Sequence, residues 1–220
     1  ADNEHMLLEL LTPVAKTYPS EMGRLAVSNG LQVLGGYGYC MDFPLQQYYR
    51  DIRIMSIYEG TTGIQSLDLL GRKIPFNNGA ALKVLLNEIN KTINDSNTIS
   101  SLQSYGVQLS ETLNCIEKVL EHLMPFAMKG DHEKYLADAS VFMELFGHIV
   151  ISWQWLDIAK VAFRQLGEND NTIEKAFLES KIHCMKYYFN YELPKVYSLK
   201  DILLRTEFLT IKEEDEELLI

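Results

Sequence analysis

Apolar residues recur at steps of three and four almost everywhere in this 220-residue chain, and nowhere alternate with period two over a useful length. That spacing lines one stripe of a helix and excludes half-buried strands. An all-α fold is therefore expected. Between residues 132 and 167 the stripe is Phe142, Leu145, Ile149, Trp153, Leu156, Ala159 and Phe163. Residues 80–94 carry Leu82, Leu85, Leu86, Ile89 and Ile93, and a polar loop follows from Asp95 to Ser100. Residues 101–128 read as a further helix, bent near Pro125, and 171–191 as a last long helix stopped by Pro194. Three or four antiparallel helices of this kind make a bundle.

The N-terminal third is helical with more punctuation. Met6, Leu7, Leu10, Leu11 and Val14 share a face over residues 2–17, where Pro13 is expected to kink the helix. Pro19 suits the first turn of a second helix that runs to Leu34. Gly35 to Gly38 should end it, and Pro44 should open a short helix reaching Arg53. Ile57 to Thr61 reads as a loop, with Thr61 or Thr62 capping a helix that continues to Lys73. Six of the chain's 13 glycines lie between Gly30 and Gln65. Glycine is costly inside helices, so that concentration asks for a reason. Pro75 to Gly79 gathers turn-forming residues and is the expected boundary between a first domain, 1–75, and a second, 80–210. An acidic tail, 211–220, follows and contains the charge run from Lys212 to Glu217.

Net charge -10 argues against a nucleic-acid surface, which normally shows a basic stripe. Cys40, Cys115 and Cys184 are odd in number and far apart, so neither a disulfide framework nor a metal site is expected. Reduced thiols fit a cytoplasmic location. No apolar run approaches the ~20 residues of a membrane span. The five histidines share no spacing, and Glu144 with His148 is a single i, i+4 pair read as packing or surface. No Gly-x-Ser-x-Gly elbow or P-loop occurs. Glu59 is what remains. It reads either as a loop carboxylate favourable to a helix N-terminus or as a base. For the second, Gly60 frees the backbone, and Ile57 and Tyr58 bring the apolar bulk that suits a carboxylate to proton abstraction.

The run QVLGGYGY, then YYRDIRI, then IYEGTTGIQ resembles the C-terminal signature of the acyl-CoA dehydrogenase family, in order and interval, from Gly30 to Lys73. The following helices resemble the domain appended in larger bacterial members, grouped as acetyl-CoA-dehydrogenase-like or 3-methylmercaptopropionyl-CoA-dehydrogenase-like. The resemblance implies the C-terminal helical bundle of that fold followed by a second bundle. It implies an FAD-dependent enzyme that removes hydrogen from an acyl-CoA thioester, with Glu59 as the catalytic base and the Gly60 amide on the thioester carbonyl. Thr61, Thr62 and Gly63 would approach the flavin. Gln32, Val33, Leu34, Gly35 and Gly36 would reach the FAD of a neighbouring subunit. At Gly63 many relatives carry a polar side chain, so no side-chain contact is available there. Arg50 and Asp51 are expected as structural ion-pair partners. A homo-oligomer and an electron-transfer flavoprotein or similar acceptor are the implied partners. The family also implies an N-terminal helical domain and a β-barrel before Ala1, without which this part should be inactive. The rival expectation is a non-catalytic helical interaction module.

Overall fold

The computed structural model describes residues 2–167 and 174–211. Among them the chain is helical and has no strand. The order is α1 (Asp2–Leu34), α2 (Gly36–Tyr39), α3 (Leu45–Arg53), α4 (Thr62–Asp68), α5 (Phe76–Ser96), α6 (Gln103–Met128), α7 (His132–Leu136), α8 (Ala139–Gly167), α9 (Lys175–Tyr187) and α10 (Lys195–Leu203). The all-α expectation holds. The acidic run from Lys212 and the start of the helix expected at 171 lie outside the described residues.

α8 is the pillar. Phe142, Leu145, Phe146, Ile149, Leu156 and Ala159 are fully buried along it, and α1, α4, α5, α6, α9 and α10 pack around it. Residues 132–167 are in fact long and apolar enough to cross a membrane by length and composition, contrary to the expectation that no run approaches that length. The apolar residues are spent on the core: all six named above belong to the same buried cluster. Charges are confined to its margins, where Lys160 bridges Asp157 at 2.8 Å and Asp95 of α5 at 3.0 Å.

α1 departs from expectation. Pro13 and Pro19 were expected to bend it and to start a new helix, but one unbroken helix of 33 residues passes through both. Each proline removes one backbone donor. Burial of Leu10 and Val14 against the core, at about 1.5–3 kcal/mol for each fully buried side chain, offsets much of that cost. The C-terminal end differs too. Pro194 does not close the bundle; it is the N-cap of α10, which buries Val196, Leu199 and Leu203. Pro125 likewise lies inside α6.

Two π-turns precede prolines. Leu69–Lys73 runs into Pro75 and Tyr188–Glu192 into Pro194. A proline ring clashes with the carbonyl four residues back in an α-helix, and a widened turn moves that carbonyl aside. In the first, Ile74 N donates to Leu69 O instead of Leu70 O. Leu70 O is then free, and Tyr135 Oη donates to it at 2.7 Å.

After Pro75, Asn77, Asn78 and Gly79 take φ values of 48°, 55° and 76°. Asparagine and glycine are the residues that tolerate this region. The apolar core crosses this break without interruption: Leu10, Val14, Leu69, Leu70 and Ile74 share one cluster with Leu85, Ile89, Phe142 and Phe146.

Candidate functional site

Glu59 stands on a bend between the short 3₁₀ turn Ile54–Ser56 and α4. Its φ is 53° and that of Gly60 is 88°. A left-handed glutamate is uncommon and costs energy unless its surroundings hold it. They do so through both carbonyls. Gln65 Nε2 donates to Glu59 O at 2.9 Å, and Lys16 Nζ of α1 donates to Gly60 O. Thr61 is the N-cap, accepting from Ile64 N at 3.3 Å. Thr62 Oγ1 donates to Glu21 Oε1 of α1 at 2.6 Å. The bend is thereby fastened to α1 at two points.

The Glu59 side chain is exposed. It lines an open depression of about 280 Å³ whose other walls are Ala15, Lys16, Pro19, Ser20, Ile52, Met55 and Tyr58. The Gly60 amide donates to no described residue. An acid and a thioether-and-ring wall thus share one face, and an unengaged N–H lies one residue on. Such a set can take a proton from carbon while a neighbouring carbonyl accepts a hydrogen bond.

Gln32, Val33, Gly35 and Gly36 are exposed and Leu34 is half-buried, at the far end of α1. No atom lies within 4 Å of where a Cβ on Gly35 or Gly36 would sit. The backbone there is open to close approach. The structure does not bring these residues to Glu59. Lys16 touches Gly60, and Gln32 follows on the same continuous helix about 24 Å away at 1.5 Å per residue. Thr61, Thr62 and Gly63 do cluster beside Glu59. Arg50 and Asp51 are exposed and form no ion pair with a described residue. Arg53 takes the structural role instead, its Nη1 donating to Ser56 Oγ at 2.8 Å.

A second polar constellation has no signature in the sequence. Tyr18 Oη lies 2.5 Å from Tyr188 Oη, which lies 3.1 Å from His148 Nδ1. His148 is 1% exposed, and its Nε2 stands 3.9 Å from Glu144 Oε1, an ion-pair distance and not a hydrogen bond. Of the pair read as packing or surface, Glu144 is exposed, and His148 is packed inside as the end of a buried chain of hydroxyls. It ties α1 to α8 and to the π-turn at Tyr188. Gly147 makes room for it, since a Cβ there would meet the Tyr18 ring at 3.0 Å. Burial pushes the Tyr18 phenol up to about 12 and raises Tyr188 further. The contact with His148 draws the Glu144 carboxyl below its ordinary range. Beside the chain lies a cavity of about 300 Å³ between α1, α4 and α8, rimmed by Glu21, Arg24 and Glu144.

Residues 1–74 match the family described as "Acyl-CoA dehydrogenase, C-terminal domain", and residues 85–211 match "Acetyl-CoA dehydrogenase C-terminal like". The chain belongs to the acyl-CoA dehydrogenase family. Among its acyl-CoA dehydrogenase relatives is the "Broad-specificity linear acyl-CoA dehydrogenase FadE5" of Mycobacterium tuberculosis, 28% identical over 89% of this chain and 33% of that protein. The 3-methylmercaptopropionyl-CoA dehydrogenase of Ruegeria pomeroyi is 32% identical over 80% of this chain and 29% of that protein. The fold is also that of Caenorhabditis elegans ACDH-11, solved in complex with C11-CoA, at a TM-score of 0.62 and 21% identity over 94% of this chain and 34% of the other. The chain spans about a third of the length of these relatives.

Proposed function

We propose that this chain is the C-terminal part of an FAD-dependent acyl-CoA dehydrogenase, and that Glu59 removes the α-proton of the acyl-CoA thioester. The observation that carries this reading is the exposed Glu59 carboxylate, held on a left-handed bend beside an apolar wall and an unengaged Gly60 amide. An α-proton next to a thioester is weakly acidic. Its removal needs a base in place and a donor on the carbonyl as charge develops there. Gly60 N–H supplies that donor. Thr61, as the N-cap, fixes where α4 begins, directly after the Glu59–Gly60 bend. The FAD, when bound, supplies the acceptor for the β-hydrogen. Thr61, Thr62 and Gly63 would meet it from one subunit, and Gln32 to Gly36 would meet that of a second copy. The 24 Å of helix between the two groups favours this division, as does the open backbone at Gly35 and Gly36.

Large exposed side chains crowd the same end. Val33, Tyr39 and Met41 are each 85% exposed or more, which favours contact with further protein. A homo-oligomer, an electron-transfer flavoprotein or similar acceptor, and a division into a 1–75 unit and an 80–210 unit belong to the same proposal. So does the inactivity of this part alone. The experiment is Glu59→Gln in the full-length protein, with acyl-CoA oxidation followed by bleaching of an electron-accepting dye. Loss of a base should lower kcat by about a hundredfold or more. Turnover within about twofold of the parent, with the acyl-CoA still bound, overturns the assignment and leaves the interaction module.

A further inference from the structure

The bend that carries Glu59 has no reason of its own to be left-handed. Glutamate gains nothing locally from positive φ, unlike asparagine or aspartate, whose short side chains bond their own backbone there. The conformation must be imposed from outside. Two side chains do this, from two different helices and on two successive carbonyls. Gln65, one turn into α4, reaches back six residues to Glu59 O at 2.9 Å. Lys16, in the middle of α1, reaches Gly60 O. The absence of a side chain at Gly60 is part of the device: a Cβ there would lie 2.9 Å from Gln65 Nε2. Turning the Glu59–Gly60 peptide plane would swing Glu59 O away from Gln65, and turning the Gly60–Thr61 plane would swing Gly60 O away from Lys16. The first of these turns would also swing the Gly60 N–H, which shares its plane with Glu59 O, relative to the Glu59 side chain on the Cα before it.

We propose that Lys16 and Gln65 are the positioning residues of this site. They act through the two peptides that meet at Gly60 and fix the angle between the carboxylate and the N–H that faces the thioester carbonyl. This rests on the reading of Glu59 as base. Both Lys16 and Gln65 are half-buried, and neither is required to touch the acyl chain. Lys16 shares the depression with Glu59, so its ammonium group holds the bend from the side of that depression.

The test uses the full-length protein with Lys16→Met, Gln65→Met, Lys16→Arg and Glu59→Gln. Methionine keeps length and removes the donor; arginine keeps a donor. A misplacement of about 1 Å costs about a hundredfold in rate, so each methionine variant should lose about ten- to a hundredfold in kcat. KM for acyl-CoA should stay within about twofold, and Lys16→Arg should recover most of the loss. In the Glu59→Gln background, either methionine should cost nothing further, whereas a residue that merely supports the fold would lower the residual rate and the melting temperature in both backgrounds. If Lys16→Met fails to fold, Gln65→Met, which removes one bond from the surface of α4, carries the same comparison. Methionine variants with unchanged kcat beside a dead Glu59→Gln refute the positioning role and leave the base in place. An active Glu59→Gln removes the base, and the positioning role with it.

Discussion

Tyr188→Phe removes a single oxygen and with it two contacts, the 2.5 Å bond to Tyr18 and the 3.1 Å bond to His148. A neutral buried hydrogen bond is worth about 1 kcal/mol net, and an orphaned buried partner costs about 1–3 kcal/mol more. The two partners are not equal. His148 is 1% exposed and has no other partner for Nδ1 among the described residues, so it bears the larger penalty. Tyr18 is half-buried and lines the cavity between α1 and α8, so its hydroxyl can turn toward solvent. The expected cost is about 3 kcal/mol for Tyr188→Phe and about 1 kcal/mol for Tyr18→Phe, where Tyr188 still serves His148. Urea unfolding of the chain, followed by far-ultraviolet circular dichroism, reads both as shifts of midpoint at constant slope. The double variant should cost less than the sum, because the two phenols share a bond. Equal costs for the two single variants, or full additivity, would refute the ranking and the chain of contacts behind it.

The same phenols set the alkaline limb. Tyr18 is pushed up to about 12 and Tyr188 is raised further by burial, while an unfolded tyrosine titrates near pH 10. The folded state keeps protons that the unfolded state gives up, so their contribution is full below about pH 10 and lost as pH rises through about 12. Replacing both by phenylalanine should flatten that part of the stability–pH curve. Gly38→Ala should cost about 1–3 kcal/mol, since its Cβ would lie 2.5 Å from Leu31 O and backbone cannot step aside. Hydrogen exchange should rise first in the turn joining α1 and α2; unchanged protection there would count against the packing.

Local chemistry was legible and long-range chemistry was not. The Thr61 cap, the break at Pro75 to Gly79 and the stripe of α8 follow from residue types a few positions apart, and a sequence states those directly. The Tyr18–Tyr188 contact joins residues 170 positions apart, and nothing near either tyrosine announces the other. Pro13 and Pro19 misled in the opposite sense. Their local cost is real, but it is set against burial that only the assembled core supplies. At Glu59 the sequence offered the residue and the glycine beside it. The reach of Lys16 across 44 positions to Gly60 could not be read from spacing.

The uninterrupted α1 has a mechanical meaning. One rod grips the Glu59 bend near its middle and presents Gln32 to Gly36 at its tip, so a tilt of the tip is a tilt of the grip. If the tip seats in a second copy, assembly and the aim of the acid become one adjustment, and a subunit would be tuned for chemistry only once its neighbour has arrived.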